Sequence, residues 1–185
     1  MSLSLLLGIT YFMSEAVLTV TRRSRGTGVR QDRSTLHVLW LVIMASIATG
    51  VYVALHWRSA RLPHWDWIAI VAVVLFVTGL FVRWWAIVVL GPFFTVDVQI
   101  ARDHELVETG PFRLVRHPSY TGVMLAFVGF ALTLENWAAL LIVLVPIFTA
   151  FIHRMNVEEE ALLAGLGQRY SVYMTRTRRL VPFVY

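Results

Sequence analysis

The chain has 185 residues, of which 58% are hydrophobic, and its 16 basic and 11 acidic residues give a formal net charge of +5. The hydrophobic share exceeds the roughly 45–50% of soluble domains, and the long apolar blocks suit a bilayer core, which indicates an integral membrane protein. All sixteen basic residues are arginines, and the sequence contains no basic, aromatic-rich soluble module of the kind that binds nucleic acids. The absence of cysteine excludes disulfides and thiolate chemistry.

Three apolar blocks in the first half predict three transmembrane helices. They run from about Ser2 to Val20, from about Leu36 to Leu55 and from about Trp67 to Leu90. The loop after the first block carries five arginines, whereas the loop after the second carries two. Because arginine is enriched in cytoplasmic loops, we expect the first loop to face the cytoplasm and the N-terminus to lie outside.

The second half is predicted to contain a short helical hairpin and an amphipathic helix. Two apolar blocks, Tyr120 to Leu134 and Trp137 to Ile152, are joined at Glu135-Asn136. Helices of that length reach only ~24 Å, so they span a bilayer core of ~30 Å only if the bilayer thins or interfacial residues snorkel. The charged tail from Arg154 to Tyr185 has apolar residues at helical spacing, which predicts an amphipathic cytoplasmic helix that ends before Pro182.

The fold class expected from these elements is an all-α integral membrane protein with about five transmembrane helices and a C-terminal cytoplasmic amphipathic helix. Residues 1–185 are expected to form one membrane domain, with a three-helix part at residues 1–92 and a second part at residues 93–185. Arg83 falls inside the third span, where we expect it to snorkel to the interface beside two tryptophans. Interhelical hydrogen bonding accounts for Glu15 in the first span.

A polar cluster stands where the fourth block begins, in the sequence Arg116-His117-Pro118-Ser119-Tyr120. Proline is favoured at the first position of a helix, so a helix that starts here would direct His117, Tyr120 and neighbouring backbone amides into one small volume. Such a helix start suits a carboxylate or a phosphate. On spacing alone, an arginine-rich cytoplasmic loop with an interfacial aromatic residue is an equally good interpretation.

A second cluster follows the last apolar block. Arg154 and Glu158 are four residues apart and therefore neighbours on one helix face. A solvated ion pair is the simpler interpretation, but the return of the chain to the membrane face of His117 favours a shared pocket. The segment from His104 to Val107 is a weaker candidate, supported by its proximity to Gly110-Pro111. The six histidines lack metal-binding spacings such as His-Glu-x-x-His, so no metal site is expected.

A longer pattern of residues extends from about Phe93 to Pro182, roughly half of the chain. Its members are His104, Leu106, Val107, Gly110-Pro111-Phe112, Arg116-His117-Pro118-Ser119-Tyr120, Gly122, Asn136, Arg154, Glu158-Glu159, Leu162, Leu166-Gly167, Tyr170, Tyr173 and Pro182. This pattern resembles the isoprenylcysteine carboxyl methyltransferases, and the phospholipid methyltransferases share it. The compact size and the exclusive use of arginine suggest a prokaryotic member.

The resemblance implies an integral membrane methyltransferase that holds S-adenosylmethionine without a Rossmann domain, and it makes residues 93–185 the methyltransferase core. The implied cofactor-binding residues are Gln99, His104, Glu105, Leu106, Val107, Phe112, His117, Pro118, Ser119, Tyr120 and Glu158. Arg154 matches the arginine that faces the substrate carboxylate, which makes it the implied catalytic and substrate-binding residue. Phe112 departs from the tyrosine that is usual there, and Arg116 is left with a role facing lipid headgroups.

The implied reaction is O-methylation of a carboxylate on an isoprenylcysteine-like or other lipophilic substrate that enters from the bilayer. Such a carboxylate is ionised at neutral pH and needs no general base, and Arg154 would orient it. A phospholipid, amine or thiol acceptor is the nearest alternative. An amine would need its proton removed, so a dependence of the activity on a nearby acid or base would favour it. An NADPH-dependent membrane enzyme related to the sterol reductases and a non-catalytic scaffold are more distant alternatives. The expected location is a prokaryotic inner or plasma membrane, with the active site facing the cytoplasm and with membrane lipids, not nucleic acid, as partners.

Overall fold

A computed structural model describes residues 2–21, 33–63, 66–91 and 106–182. These ranges are predominantly helical, and two short 3₁₀ helices, Arg58–Ala60 and Gly110–Arg113, lie in the connections. The six α-helices are α1 (Leu3–Thr21), α2 (Arg33–His56), α3 (Asp66–Leu90), α4 (Pro118–Leu132), α5 (Trp137–Leu166) and α6 (Gln168–Arg176).

Among the described residues, four helices are long and apolar enough to cross a membrane, namely α1, α2, α3 and α5. The apolar α4 is shorter, with 15 residues. Large apolar side chains on the outer faces of the long helices are exposed, for example Leu41, Ile70 and Val145. Four long apolar helices with exposed apolar faces suit a lipid bilayer, and the chain is a multi-pass integral membrane protein, as its composition predicts.

The fifth predicted helix extends farther than its apolar block. α5 has 30 residues and continues through Arg154 to Leu166, a length of ~45 Å. The predicted end of this span at Ile152, with a separate tail helix from Arg154, is wrong. Glutamate, alanine and leucine are good helix formers, so α5 continues to Gly167, which takes a positive φ of 56° and begins the amphipathic α6.

α4 packs against α3 at very short range, and it also contacts α1 and α5. A Cβ atom added at Gly122 would lie 2.5 Å from the carbonyl oxygen of Gly79, and one added at Gly129 would lie 2.5 Å from that of Ala72. The backbones of α3 and α4 therefore touch through glycines, a packing that is common between membrane helices. Since most of α4 is covered by protein, its length need not match the thickness of the bilayer.

The predicted turn between α4 and α5 is confirmed at Glu135 and Asn136. The Asn136 side chain is fully buried, accepts a hydrogen bond from the Ala139 amide at 3.0 Å and so caps α5. Its amide group also donates to the Trp57 carbonyl at 2.9 Å, and the Leu62 amide donates to the Glu135 carbonyl at 2.8 Å. These bonds attach the hairpin to the connection between α2 and α3, at the end of the bundle opposite to the charged residues of α5.

Candidate functional site

The start of α4 brings together the aromatic residues of the first polar cluster. His117 occupies the N-cap position without a side-chain capping hydrogen bond, and Pro118 lies in the first turn, as the sequence predicts. The His117 and Tyr120 rings stack with their centroids 5.5 Å apart and an interplanar angle of 21°. The His117 side chain is only 4% exposed, so its ring lies in a protein-lined environment.

The charged part of α5 faces these two rings. The Tyr120 hydroxyl donates a hydrogen bond of 2.8 Å to Glu158 Oε2, and the Nδ1 atom of His117 lies 4.0 Å from the same oxygen. The Glu158 side chain is 32% exposed, which leaves it accessible to a ligand. The predicted proximity of the two clusters is thereby confirmed.

Arg154 lies one helical turn before Glu158 and is buried, with 3% of the residue exposed. Its guanidinium donates a hydrogen bond to the Thr35 hydroxyl on α2. The Tyr120 hydroxyl interacts with both Arg154 and Glu158. The site thus places a buried cation and a partly exposed carboxylate next to one phenol.

Glu159 holds three cationic or imidazole groups, a role that the sequence pattern did not assign to it. Its Oε1 atom accepts a hydrogen bond of 2.9 Å from Arg116 Nε and lies 3.1 Å from His117 Nε2, and its Oε2 atom accepts one of 2.6 Å from Arg179 Nη2. The Glu159 side chain is 4% exposed. A buried carboxylate is stable when several donors satisfy it, as they do here. In the sequence, the only indication of this role is that Glu159 is the second glutamate of the Glu158-Glu159 pair in the family pattern.

Arg116 does not face lipid headgroups, and that prediction is wrong. Besides its bond to Glu159, its Nη1 atom donates to the carbonyl oxygens of Met174 at 3.2 Å and Thr177 at 2.6 Å. A guanidinium has five N–H donors. Here the carbonyl oxygens at the end of α6 accept from it, so these donors are satisfied by protein and not by lipid headgroups. Arg116 therefore joins the start of α4 to α5 and to the C-terminal segment, which comprises residues 177–182 after α6.

The C-terminal segment also occupies backbone donors at the start of α4. The amide of Arg116 donates to the Arg178 carbonyl at 2.7 Å, and the amide of His117 donates to the Arg179 carbonyl at 3.0 Å. The Thr121 hydroxyl donates to the Leu180 carbonyl at 2.8 Å. The amides of Arg116 and His117 are therefore hydrogen-bonded within the protein and are not free to bind an anion.

Ser119 is linked to a buried ion pair between α1 and α3. Its hydroxyl oxygen accepts a hydrogen bond of 3.0 Å from Arg83 Nη1, while the same guanidinium donates twice to the Glu15 carboxylate, at 2.6 Å each. The Arg83 side chain is 11% exposed, so the snorkelling prediction is wrong. A carboxylate at the same depth satisfies the charge inside the bundle, which confirms the interhelical bonding expected of Glu15.

The connection before α4 contacts α6. Phe112 is buried, and its carbonyl oxygen accepts a hydrogen bond of 2.7 Å from the Tyr173 hydroxyl. Burial raises the pKa of Tyr173, which keeps this hydroxyl protonated as a donor. Leu106 and Val107 are half-buried, and Leu106 lines an open cleft of about 530 Å³ along α6. The predicted site residues Gln99, His104 and Glu105 lie outside the described residues.

Tyr170 on α6 is a further buried residue near the carboxylates. It is 2% exposed, and its hydroxyl has no hydrogen-bond partner among the described residues. Burial raises the pKa of Tyr170, and the charges of Glu159 and Glu158 raise it further, which places the hydroxyl within their electrostatic range. An unmatched buried donor is costly, so a polar group that completes its hydrogen bonding would be stabilising here.

The described geometry lies within a region that a known family shares. A family model described as phospholipid methyltransferase matches residues 67–169, which is more than half of the chain. The chain belongs to the phospholipid methyltransferase family. The matched region contains all but the first residue of α3 and the whole of α4 and α5, and thus the start of α4 and the charged part of α5. Because this family consists of methyltransferases, membership implies a methyl donor.

Curated relatives of this member of the phospholipid methyltransferase family include proteins from plants and yeasts. The chain is similar to protein-S-isoprenylcysteine O-methyltransferase B of Arabidopsis thaliana, with 33% identity over 123 residues that cover 65% of this chain and 62% of the relative. It is similarly related to enzyme A of the same plant, with 32% identity over 123 residues and the same coverage. The chain thus spans about three-fifths of the length of these relatives.

A solved structure has a similar fold. The structure of the eukaryotic intramembrane Ras methyltransferase ICMT (isoprenylcysteine carboxyl methyltransferase) matches with a TM-score of 0.67 and 24% sequence identity, covering 94% of this chain and 61% of that one. The match extends over nearly the whole chain, which includes the first three helices. The all-α membrane fold predicted from the sequence is therefore confirmed.

Proposed function

We propose that this protein is an S-adenosylmethionine-dependent membrane methyltransferase that O-methylates the carboxylate of an isoprenylcysteine-like or other lipophilic substrate. The observation that carries the proposal is the junction of α4 and α5, where His117 and Tyr120 face Glu158 and the buried Arg154 follows one turn away. The relatives named as isoprenylcysteine O-methyltransferases support this class of acceptor.

The residues at the junction fit S-adenosylmethionine, which supplies an electrophilic methyl group on a sulfonium and carries ammonium, carboxylate and hydroxyl groups. Glu158 offers a partly exposed carboxylate to a cationic or hydroxyl group. The Tyr170 hydroxyl, which has no partner in the part of the chain that the structure describes, offers a buried donor within electrostatic range of Glu158. The Ser119 hydroxyl accepts from Arg83 and still has its own proton to donate.

The cofactor contacts proposed for this chain are those that its sequence pattern implies. They are Gln99, His104, Glu105, Leu106, Val107, Phe112, His117, Pro118, Ser119, Tyr120 and Glu158. The contact of Tyr173 with the Phe112 carbonyl supports this set, because it attaches the loop before α4 to α6. Residues 93–185 form the proposed methyltransferase core, and Arg83 reaches it from the N-terminal part.

Arg154 is the proposed substrate-binding and catalytic residue. Its guanidinium is buried and held by Thr35, so little side-chain entropy remains to be lost when it binds a substrate carboxylate. A buried guanidinium forms strong charge-assisted hydrogen bonds with a carboxylate and orients it toward the methyl group. Because the acceptor is already ionised at neutral pH, the site needs no general base.

The proposed arrangement in the membrane has the site at the cytoplasmic side and the N-terminus outside. Its support is the arginine distribution: thirteen of the sixteen arginines then lie inside, and Arg58 and Arg61 lie outside. A cytosolic cofactor would thereby meet a lipophilic substrate that enters from the bilayer of a prokaryotic inner or plasma membrane.

Methyl transfer can be measured with labelled S-adenosylmethionine, the purified full chain and a small S-prenylated cysteine. We expect label in the substrate that has a free carboxylate and none in its carboxamide, which serves as the matched control. Calorimetry should show binding of S-adenosylhomocysteine. If NADPH bound and S-adenosylhomocysteine did not, the methyltransferase proposal would be wrong, and a reductase related to the sterol reductases would replace it.

A phospholipid amine is the second candidate acceptor, because the matching family model is described as phospholipid methyltransferase. An amine must lose a proton before or during transfer, so its methylation would depend on a nearby base. Vesicles that contain phosphatidylethanolamine, offered in the same assay, distinguish the two acceptors. Label in the phospholipid without label in the prenylated cysteine would favour the second candidate.

A further inference from the structure

The two ring nitrogens of His117 have different surroundings. Nε2 lies 3.1 Å from Glu159 Oε1, which is a hydrogen-bonding distance. Nδ1 lies 4.0 Å from Glu158 Oε2, which is too far for a hydrogen bond, and the side chain does not cap α4. Nδ1 therefore faces the partly exposed Glu158, whereas Nε2 faces a buried carboxylate.

Glu159 can act only as an acceptor in this setting. Arg116 and Arg179 both donate to it, and a guanidinium remains protonated in proteins, so the carboxylate is held in its ionised form. Its side chain is 4% exposed, which limits competition from water. An ionised carboxylate at hydrogen-bonding distance from an imidazole nitrogen requires that nitrogen to carry the proton.

Arg116 and the C-terminal segment make the arrangement rigid. Arg116 is fixed by the carbonyl oxygens of Met174 and Thr177, and the His117 amide is fixed by the Arg179 carbonyl. The Glu159 carboxylate and the His117 ring thus have little freedom to exchange partners. Outer partners of this kind commonly fix the tautomer of a functional histidine.

We propose that Glu159 is a positioning residue that holds His117 as its Nε2–H tautomer, so that Nδ1 and Glu158 present two acceptors to one donor group of the bound cofactor. The two acceptors are close enough to contact one group, because Nδ1 lies 4.0 Å from Glu158 Oε2. The matching ligand group is an ammonium or a hydroxyl, and S-adenosylmethionine has both. The inference about this donor group rests on the proposed function, whereas the tautomer itself does not.

The tautomer can be read directly from the nitrogen NMR spectrum of the detergent-solubilised full chain labelled with ¹⁵N-histidine. His117 is one of six histidines, and its signals are those that disappear in His117→Gln. We expect a protonated Nε2 and an unprotonated Nδ1 in the ligand-free protein. A protonated Nδ1, in either a neutral or a cationic ring, would overturn the proposal.

Glu159→Gln tests whether the carboxylate sets this state. We expect the signals of His117 to show a mixture of tautomers and the affinity for S-adenosylhomocysteine to fall about tenfold. Glu160→Gln is the matched control, because Glu160 is exposed on the next position of α5, and it should change neither readout. An unchanged tautomer in Glu159→Gln would show that Glu159 does not position His117.

Two substitutions of His117 keep the test decisive if Glu159→Gln does not fold. In His117→Asn the side-chain oxygen takes the place of Nδ1 as an acceptor, whereas in His117→Gln the amide takes the place of the Nε2–H donor and no acceptor remains at Nδ1. We expect His117→Asn to bind S-adenosylhomocysteine severalfold more tightly than His117→Gln. Equal or reversed affinities would overturn the acceptor role of Nδ1. If the wild-type protein had the expected tautomer but bound no S-adenosylhomocysteine, the proposed function would be wrong and the tautomer assignment would stand.

Discussion

Glu15 and Arg83 form a two-bond ion pair between α1 and α3, with both nitrogen–oxygen distances at 2.6 Å and both side chains about one-tenth exposed. Arg83 also donates to Ser119, so the pair connects the first helix to the start of α4. Buried charges of this kind are stable together but costly when one is left alone.

Removing one member of this ion pair should therefore destabilise the protein more than removing both. We expect Glu15→Leu and Arg83→Met each to lower the free energy of unfolding by about 3–5 kcal/mol, and the double variant to recover a large part of that loss. Thermal unfolding in detergent provides the measurement. If the losses in the single variants simply added in the double variant, the two charges would not be coupled.

Gly122 permits the contact between α3 and α4, so a methyl group there should separate the helices. The added Cβ would lie 2.5 Å from the Gly79 carbonyl oxygen and 2.6 Å from the Arg83 amide nitrogen. We expect Gly122→Ala to destabilise the protein by about 1–3 kcal/mol. Gly8→Ala is the control, because a Cβ atom added at Gly8 would lie 3.7 Å from its nearest neighbour, a ring carbon of Phe130. Equal stability of both variants would show that α3 and α4 do not touch at Gly122.

The proposed roles of the α5 residues predict different kinetic defects. Glu158→Ala and His117→Ala should abolish binding of S-adenosylhomocysteine, measured by calorimetry. Arg154→Ala should lower turnover by about 100-fold or more while cofactor affinity stays largely unchanged, because only the acceptor loses a charge-assisted partner. Unchanged turnover with a carboxylate acceptor in Arg154→Ala would remove Arg154 from the catalytic site.

Asn136 should matter for stability but not for the cofactor. It is fully buried and bonds both the Ala139 amide and the Trp57 carbonyl at the opposite end of the bundle. We expect Asn136→Ala to lower the free energy of unfolding by about 1–3 kcal/mol, measured by thermal unfolding, with cofactor affinity retained. A selective loss of affinity in a stable Asn136→Ala variant would contradict this separation of the two ends.

The helices were predictable because their signal is local. Long apolar blocks placed the first three helices close to their observed bounds, and Pro118 marked the start of α4 as its chemistry predicts. The end of α5 was not predictable from hydrophobicity, because a helix continues past its apolar block when good helix formers follow. Gly167, which ends α5, was the better signal.

By itself, the sequence determined the membrane class, the helical hairpin at Asn136 and the residue types at the site, since composition and short-range spacing depend only on near neighbours. The tertiary structure decided the partners: Glu15 for Arg83 across 68 positions, and Glu159 for His117 across 42. Such pairings depend on which helix faces meet in the packed bundle, because an isolated charge there is too costly to remain unpaired. The spacing of residues along the chain does not determine which faces meet.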